Sequence, residues 1–330
     1  MSPSLSDRLA ALLLAAISVI VLGCRATGRL DRAAEEFVRL PEFPSASYFY
    51  DAPDALPLVS AHRARPEEPG FAENAVPSIE RLTASGSFVI EMDVAMSLDS
   101  VLFLFHDDEL DRLTRNSGRV GELDWATLDT MRLLDPGGQL TPATIPSLAE
   151  ALAAIDGRAL VTLDRKRGVS YLQLYEALRA AGVEEQVALI LYDGADLREW
   201  AALPAVGPVS FGGGSVAAME AARQTASDLS AYLGTYAYRR RGPVPLMAFV
   251  GVGEPDSALL QTAANLGIRT IVGTFGALDD SAAADDGATY RRLIAAGVDV
   301  IATDRPLAAY RALAARYRDA VRPAQPATPR

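Results

Sequence analysis

Between Ala159 and Thr303, short apolar segments alternate with amphipathic ones, and this rhythm constrains the fold more than any other feature. The pattern predicts strands over Ala159–Arg165, Val187–Tyr192, Val206–Phe211, Val244–Val250, Arg269–Phe275 and Val298–Thr303. It predicts helices between them over Tyr171–Ala181, Ala195–Leu203, Ser215–Leu233, Ser257–Leu266 and Ala288–Ala296, and a last one over Pro306–Tyr317. Pro306 suits a first helical turn, and Gly182, Gly267 and Gly297 sit where C-terminal caps belong. Strands that alternate with helices argue for a parallel sheet, because each crossover needs an intervening helix. Leu58–Arg63 and Phe88–Ala95 bring the strands to eight within roughly 260 residues, the size of a (β/α)8 TIM barrel. A doubly wound open sheet is the rival, but no Gly-x-Gly-x-x-Gly turn follows the first strand. The run Gly212-Gly213-Gly214-Ser215 reads either as a flexible turn or as backbone that could approach an anion.

Upstream of this rhythm, Asn74–Ser85 reads as a helix and Asp124–Leu133 as a short one. Ser147 and Glu150 form a capping box for a helix running to Ile155. The stretch Ser87–Asp107 departs from the β/α pattern. It reads as a strand, Phe88–Met96, folded back on a return arm, Val101–Phe105, through Ser97-Leu98-Asp99-Ser100. With the turn centred there, Glu91 faces His106 and Asp93 faces Leu104. Glu91 and Asp93 share one face, and His106 joins them. Carboxylates in an apolar strand are costly unless paired or bound to a cation, and a hard divalent metal would satisfy both. The alternative is a solvated strand face that carries acids by chance.

Barrel enzymes carry their chemistry at the C-terminal ends of the strands. That rule collects His62 and Arg63 from the first strand, Glu91 and Asp93 from the second, His106 from the return arm, and Asp164 and Lys166 from the third. His62 and His106 are the two histidines of the chain, and Lys166 is its sole lysine. The set is coherent for phosphodiester chemistry. Glu91, Asp93 and Asp164 would hold one divalent cation, Ca²⁺ or Mg²⁺. Arg63 and Lys166 would donate to phosphate oxygens, and His62 and His106 would act as general acid and base, in either order. Three further acids stay open. Glu73 reads as a capping acid or a ligand, Asp107 as a brace for His106 or a loop start, and Asp304 as a helix cap before Pro306 or a catalytic acid.

These motifs resemble the glycerophosphodiester phosphodiesterase family over roughly Leu58 to Ala309. The family's His-Arg-Gly is similar to His62-Arg63-Ala64, its Pro-Glu-Asn to Ala72-Glu73-Asn74, its Glu-x-Asp to Glu91-Met92-Asp93 and its His-Asp to His106-Asp107. The segments IPSLAEAL, Asp164-Arg165-Lys166 and GVDVIATDRP resemble its later motifs. Departures are Ala64 for Gly, Ala72 for Pro, Asp164 for Glu, and Gly273-Thr274-Phe275-Gly276 where the family carries a tryptophan. The resemblance implies hydrolysis of glycerophosphodiesters to sn-glycerol 3-phosphate and an alcohol. Related lipid phosphodiesterases of lysophospholipase D or sphingomyelinase D type, acting on a lysolipid, share the core site. A degenerate barrel that binds a phosphorylated ligand without turnover is the alternative of another class.

The two ends of the chain carry separate expectations. Arg8 precedes an apolar run, Leu9–Leu22, too short for the ~20 residues that span a bilayer but suited to a signal peptide. The run ends in Val21-Leu22-Gly23-Cys24, which resembles a bacterial lipobox with the chain's single cysteine as the lipidated residue. Residues 1–24 then form a lipoprotein leader, 25–57 a tether, 58–318 the phosphodiesterase domain and 319–330 a disordered tail. This implies a lipid-anchored protein of the bacterial cell envelope, with the periplasmic face of the outer membrane favoured because Arg25, not Asp, follows Cys24. The net charge of −11 argues against a nucleic-acid partner.

Overall fold

The computed structural model describes residues 56–203, 209–212, 246–265 and 268–321. The expected leader, almost all of the expected tether, the expected tail beyond residue 321, the helix expected over Ser215–Leu233 and the cap expected at Gly267 lie outside the described residues. The alternating segments form a closed parallel barrel. Its strands are β1 (Leu58–Ala61), β2 (Val89–Met96), β6 (Leu160–Arg165), β7 (Val187–Leu191), β8 (Val209–Phe211), β9 (Leu246–Val252), β10 (Arg269–Gly273) and β11 (Val300–Thr303). They run in that order around the barrel, and β1 closes it by pairing with β11 on one side and β2 on the other. Closure removes the exposed edges that would have remained in the rival open sheet.

The helices follow local rules. Helix α1 (Val76–Ser85) takes a proline in its first turn. The capping box of Ser147 and Glu150 starts α3 (Leu148–Ile155), and an equivalent pair, Ser170 and Gln173, starts α4 (Tyr171–Ala181). Helix α4 ends on Gly182 in the left-handed conformation. Helices α5 (Gly194–Ala201), α6 (Ser257–Asn265), α8 (Ala288–Ala295) and α9 (Pro306–Val321) stand within a few residues of their expected bounds. Helix α7 (Ala277–Ala284) was not expected; its alanine-rich turn carries too little periodicity to be distinguished from a loop.

Three local expectations are corrected. First, the return arm is shorter and shifted by one residue. Strand β3 (Leu102–Leu104) pairs antiparallel with Val94–Met96, so Leu104 faces Val94 rather than Asp93. The turn is a three-residue loop, Leu98–Ser100, with Ser100 left-handed at φ 68° and the Ser97 and Val101 backbones bonded across it. Second, of Asp124–Leu133 only α2 (Trp125–Leu128) is helical. The chain then forms β4 (Arg132–Leu134), paired antiparallel with β5 (Leu140–Thr144). Third, Asn74 lies outside α1 in the left-handed region at φ 53°.

Beneath the barrel the packing is tight. Tyr310 of α9 is buried between the rings of Phe88, at 4.7 Å, and Tyr317, at 4.6 Å. Its hydroxyl accepts a hydrogen bond from the Ser87 amide at 3.1 Å. Gly86 is extended, so an alanine meets no backbone strain there, but its Cβ would fall 2.7 Å from the Tyr310 ring. The stacked ring has nowhere to move. Gly86→Ala is therefore expected to lower stability by about 1–3 kcal/mol, read as a lower urea midpoint at unchanged slope.

Candidate active site

The carboxylate cluster follows from strand register. Side chains alternate along a strand, so Glu91 and Asp93 of β2 point to one face, into the barrel mouth. Strand β6 runs alongside with Asp93 opposite Asp164. The three carboxylates bring oxygens within 4.8 Å of one another. Such crowding demands compensation. Lys166, immediately after β6, places Nζ 2.7 Å from Asp93 Oδ1 and 2.6 Å from Asp164 Oδ2. Burial alone would lower its pKa, but the charges of Asp93 and Asp164 outweigh that and hold the ammonium protonated. Asn74 donates from Nδ2 to Asp93 Oδ2 at 2.7 Å and accepts from the Asp93 amide at 3.2 Å. Glu91 accepts from the Arg63 amide at 2.7 Å. Desolvation, then the Asp93 charge, still push the Glu91 carboxyl well above its ordinary range.

His62 and Arg63 do not extend β1. They form a tight turn, His62–Ala64, in which Arg63 and Ala64 are left-handed at φ 54° and 49°. That turn aims the Arg63 amide at Glu91. Glycine adopts this conformation freely, and Ala64 holds it at a cost on the order of 1 kcal/mol. His62 Nδ1 lies 2.9 Å from Asp304 Oδ1, which also meets Arg65 at 3.1 Å. Burial would raise the Asp304 carboxyl, but the His62 bond and charge, with Arg65, hold it down at about 2. Asp304 is itself pinned by Asp279 of α7. The buried Asp279 carboxylate accepts from the Asp304 amide and from the hydroxyls of Thr274, Tyr290 and Thr303.

His106 reaches the mouth from the segment after β3. Its Nδ1 lies 2.6 Å from Asp107 Oδ1, and its Nε2 lies 2.9 Å from Arg63 Nη2. The Arg112 fork holds the Asp107 carboxyl down at about 2, and His106 adds to the effect. All seven expected residues, His62, Arg63, Glu91, Asp93, His106, Asp164 and Lys166, thus gather at one rim, whereas Cys24 lies outside the described residues. His62, Glu91, Asp93, His106 and Asp164 line a cavity of about 370 Å³, and Arg63 and Lys166 stand behind them, against His106 and the acids. Its other wall is largely apolar, with Ile190, Phe249, Ile271 and Phe275, and also carries Ser210 and the Tyr192 phenol, which feels the charge of Asp164. Phe275 tilts over His62 with ring centroids 4.4 Å apart, and any side chain at Gly273 would strike it, since a Cβ there lies 2.6 Å from the Phe275 ring. Gly212 likewise leaves room for Tyr192, whose ring would lie 2.5 Å from an added Cβ.

Sequence reasoning missed Asn74, Arg65, Arg112, Tyr192, Phe275 and Asp279 as parts of the site. It weighed Asp304 mainly as a helix cap. The signal available for Asp304 was its place at the end of the last strand, the same rule that found Asp164.

The cluster fits a hard divalent cation. Asp164 Oδ1 is buried without a partner, and the donors are all carboxylate oxygens. The raised Glu91 pKa gives a signed prediction for the metal-free protein. The folded state binds the Glu91 proton more tightly than the unfolded chain, so this residue's contribution to stability falls as pH rises from the ordinary glutamate range, near ~4.3, through the folded pKa. Asp107 and Asp304 act in the opposite sense at lower pH, where stability is lost as pH falls toward about 2. Glu91→Gln is expected to abolish the upper decline and leave the lower one, measured by denaturant unfolding across pH in chelator.

Comparison with known proteins shows the family and the fold. The model of the glycerophosphoryl diester phosphodiesterase family matches residues 61–308. A glycerophosphodiester phosphodiesterase of Caldanaerobacter subterraneus subsp. tengcongensis is 29% identical over 152 residues, 43% of this chain and 60% of that protein. A putative glycerophosphodiester phosphodiesterase of Bacillus subtilis is 28% identical over 40% of this chain and 51% of its own length, so the aligned segment spans about half to three-fifths of these curated relatives. A crystal structure of a glycerophosphoryl diester phosphodiesterase from Parabacteroides distasonis superposes with a TM-score of 0.66 at 25% identity, covering 85% of this chain and 94% of that one. An Oleispira antarctica phosphodiesterase, solved in complex with the product sn-glycerol-3-phosphate, shares the fold with a TM-score of 0.54 at 22% identity, covering 82% of this chain and 99% of that one. With its family model matched from Ala61 to Ala308, across the barrel and every described residue of the mouth cluster, the chain belongs to the glycerophosphoryl diester phosphodiesterase family.

Proposed function

We propose that the protein hydrolyses glycerophosphodiesters to sn-glycerol 3-phosphate and an alcohol with the help of one divalent cation. The observation that carries this reading is the cluster of Glu91, Asp93 and Asp164, with an orphaned buried oxygen on Asp164, set between two histidines that each rest on a carboxylate. Glu91, Asp93 and Asp164 would hold Ca²⁺ or Mg²⁺, which neutralises phosphate charge and orients the diester when bound. Arg63 and Lys166 lie beside the cluster and donate to phosphate oxygens. With Nδ1 of each histidine on an acid, Nε2 is the atom left for proton transfer. One histidine takes a proton from the attacking hydroxyl, either water or the substrate's own glycerol hydroxyl, and the other protonates the leaving alkoxide.

The apolar wall favours a second reading of the substrate. Ile190, Phe249, Ile271 and Phe275 suit the apolar portion of a lysolipid, which a lysophospholipase D or sphingomyelinase D type of reaction leaves on the phosphomonoester while the polar head-group alcohol departs. Lipidation of Cys24 belongs to the same proposal. It would tether the barrel in the cell envelope, at the outer membrane, close to such substrates.

The test is direct. Purified protein is incubated with glycerophosphocholine, glycerophosphoethanolamine or lysophosphatidylcholine, in Ca²⁺, Mg²⁺ or chelator, and the released phosphomonoester and alcohol are assayed. Turnover is expected with metal and not with chelator, and His106→Ala is expected to lower it by roughly 10²- to 10⁴-fold. Absence of release from all three substrates with either metal would reject the reading in favour of a barrel that binds without turnover.

A further inference from the structure

The four hydrogen bonds of Arg112 are out of proportion to its place on an irregular loop. Nε and Nη2 donate to Asp107 Oδ2 and Oδ1 at 2.6 and 2.9 Å. Nη1 and Nη2 donate to Glu73 Oε2 and Oε1 at 2.9 and 2.7 Å. Both acceptors lead onward into the site. Asp107 holds Nδ1 of His106, and Glu73 faces the Arg63 guanidinium. Arg63 in turn contacts Nε2 of His106. The five side chains close a ring, Arg112–Asp107–His106–Arg63–Glu73, of two cations, two anions and one imidazole.

We propose that Arg112 is a positioning residue, which acts through this ring to fix the His106 imidazole and to keep the Arg63 guanidinium available to phosphate. The proposal deepens the phosphodiesterase reading above and rests on it for its kinetic consequence.

The first half follows from donor inventory. A guanidinium has donors and no acceptor, so at 2.9 Å from Arg63 Nη2 the His106 Nε2 must offer its lone pair. The ring proton of His106 is then on Nδ1, donated to Asp107 Oδ1. The Asp107 carboxylate is oriented for this by the two-pronged Arg112 fork, the geometry that fixes a carboxylate in plane as well as in place. Without Arg112, Asp107 loses two of its donors and can swing, and the tautomer of His106 is no longer dictated.

The second half follows from competition for Glu73. Its carboxylate is nearly buried and spends its short bonds on Arg112, whereas Arg63 approaches it only at 3.3 and 3.5 Å. The Arg63 Nε is buried and has no partner at all. Arg63 is therefore held loosely, with donors to spare for an incoming anion. If Arg112 is removed, the uncompensated Glu73 carboxylate captures Arg63 as its only cation, because an unpaired buried charge is costly. Phosphate binding then loses its fork.

The ordinary alternative is a staple, in which Arg112 only ties the loop after β3 to the barrel. The two roles separate in a measurement that needs no turnover. The chain has two histidines, so ¹⁵N-histidine labelling of the full protein gives two sets of imidazole resonances, and His62, held by Asp304, is the internal control. His106 is expected to show the Nδ1–H tautomer in the wild type and a mixture of tautomers in Arg112→Met, with His62 unchanged. Kinetically, kcat/KM is expected to fall on the order of 10²-fold, divided between a lower kcat, from His106, and a higher KM, from Arg63. Arg112→Lys keeps the charge but not the fork, so it is expected to restore folding without restoring the tautomer, and it replaces Arg112→Met if that variant does not fold. Unchanged His106 resonances in the variants, or an Nε2–H tautomer in the wild type, would overturn the proposal. If the wild type turns over no diester, the functional reading fails while the resonances still decide the role of Arg112.

Discussion

Three carboxylates meet at the mouth of this barrel because β2 and β6 run in a register that sets Asp93 beside Asp164. Much of the surrounding architecture answers the repulsion this creates. An ammonium sits between two of the acids, an asparagine side chain bonds the shared one from its other side, and a backbone amide meets the third. Two of these answers require unusual backbone. Arg63 offers its amide from a left-handed turn, and Asn74, also left-handed, must leave helix α1 to reach Asp93. Strain of this kind persists only where surrounding contacts over-determine it, and here the contacts are those of the cluster itself. Compensation is incomplete, since Asp164 Oδ1 is unpartnered and Glu91 resists ionisation. The residual negative field is the physical argument for a cation.

Around the cluster the rim is divided. Toward β11, β1 and the segments after β1 and β3 it is a network of acids and arginines. Asp279 braces Asp304, Asp304 orients His62, and Arg112 with Asp107 and Glu73 orients His106 and Arg63. Toward β7 to β10 the wall is aliphatic and aromatic, with Phe275 and Phe249 packed in series behind His62. Charged and apolar side chains thus occupy different arcs of one barrel. Loops can alter the second without disturbing the first, as barrel enzymes commonly do.

The barrel was legible because parallel strands buried on both faces read as continuous apolar runs, and because capping residues such as Ser147, Ser170 and Gly182 mark helix ends locally. The core acids and histidines were legible from one rule, strand ends at the C-terminal rim. What was missed depends on tertiary contact. The residues Ser97–Ser100 do not announce a three-residue loop with a left-handed serine, so the hairpin register came out one residue off. Asn74 reads as the first residue of a helix, and only the folded chain reveals that it stands outside that helix with Asp93 as its partner. Asp304 shortly before Pro306 looks like a cap, and its bond to His62 appears only in the folded chain. Arg112 and Asp279 lie on a loop and on a short helix without periodic signal, and their roles rest on partners up to 39 residues away in sequence.

The claim on which the account depends is that Glu91, Asp93 and Asp164 form a metal site. Anomalous diffraction from crystals of the protein soaked in Mn²⁺, a hard divalent cation with a usable signal, tests it most directly. The account predicts one strong anomalous peak within bonding distance of oxygens from all three carboxylates, lost in Asp164→Asn. A peak elsewhere, or none with the three acids still held only by Lys166, Asn74 and the Arg63 amide, would contradict it.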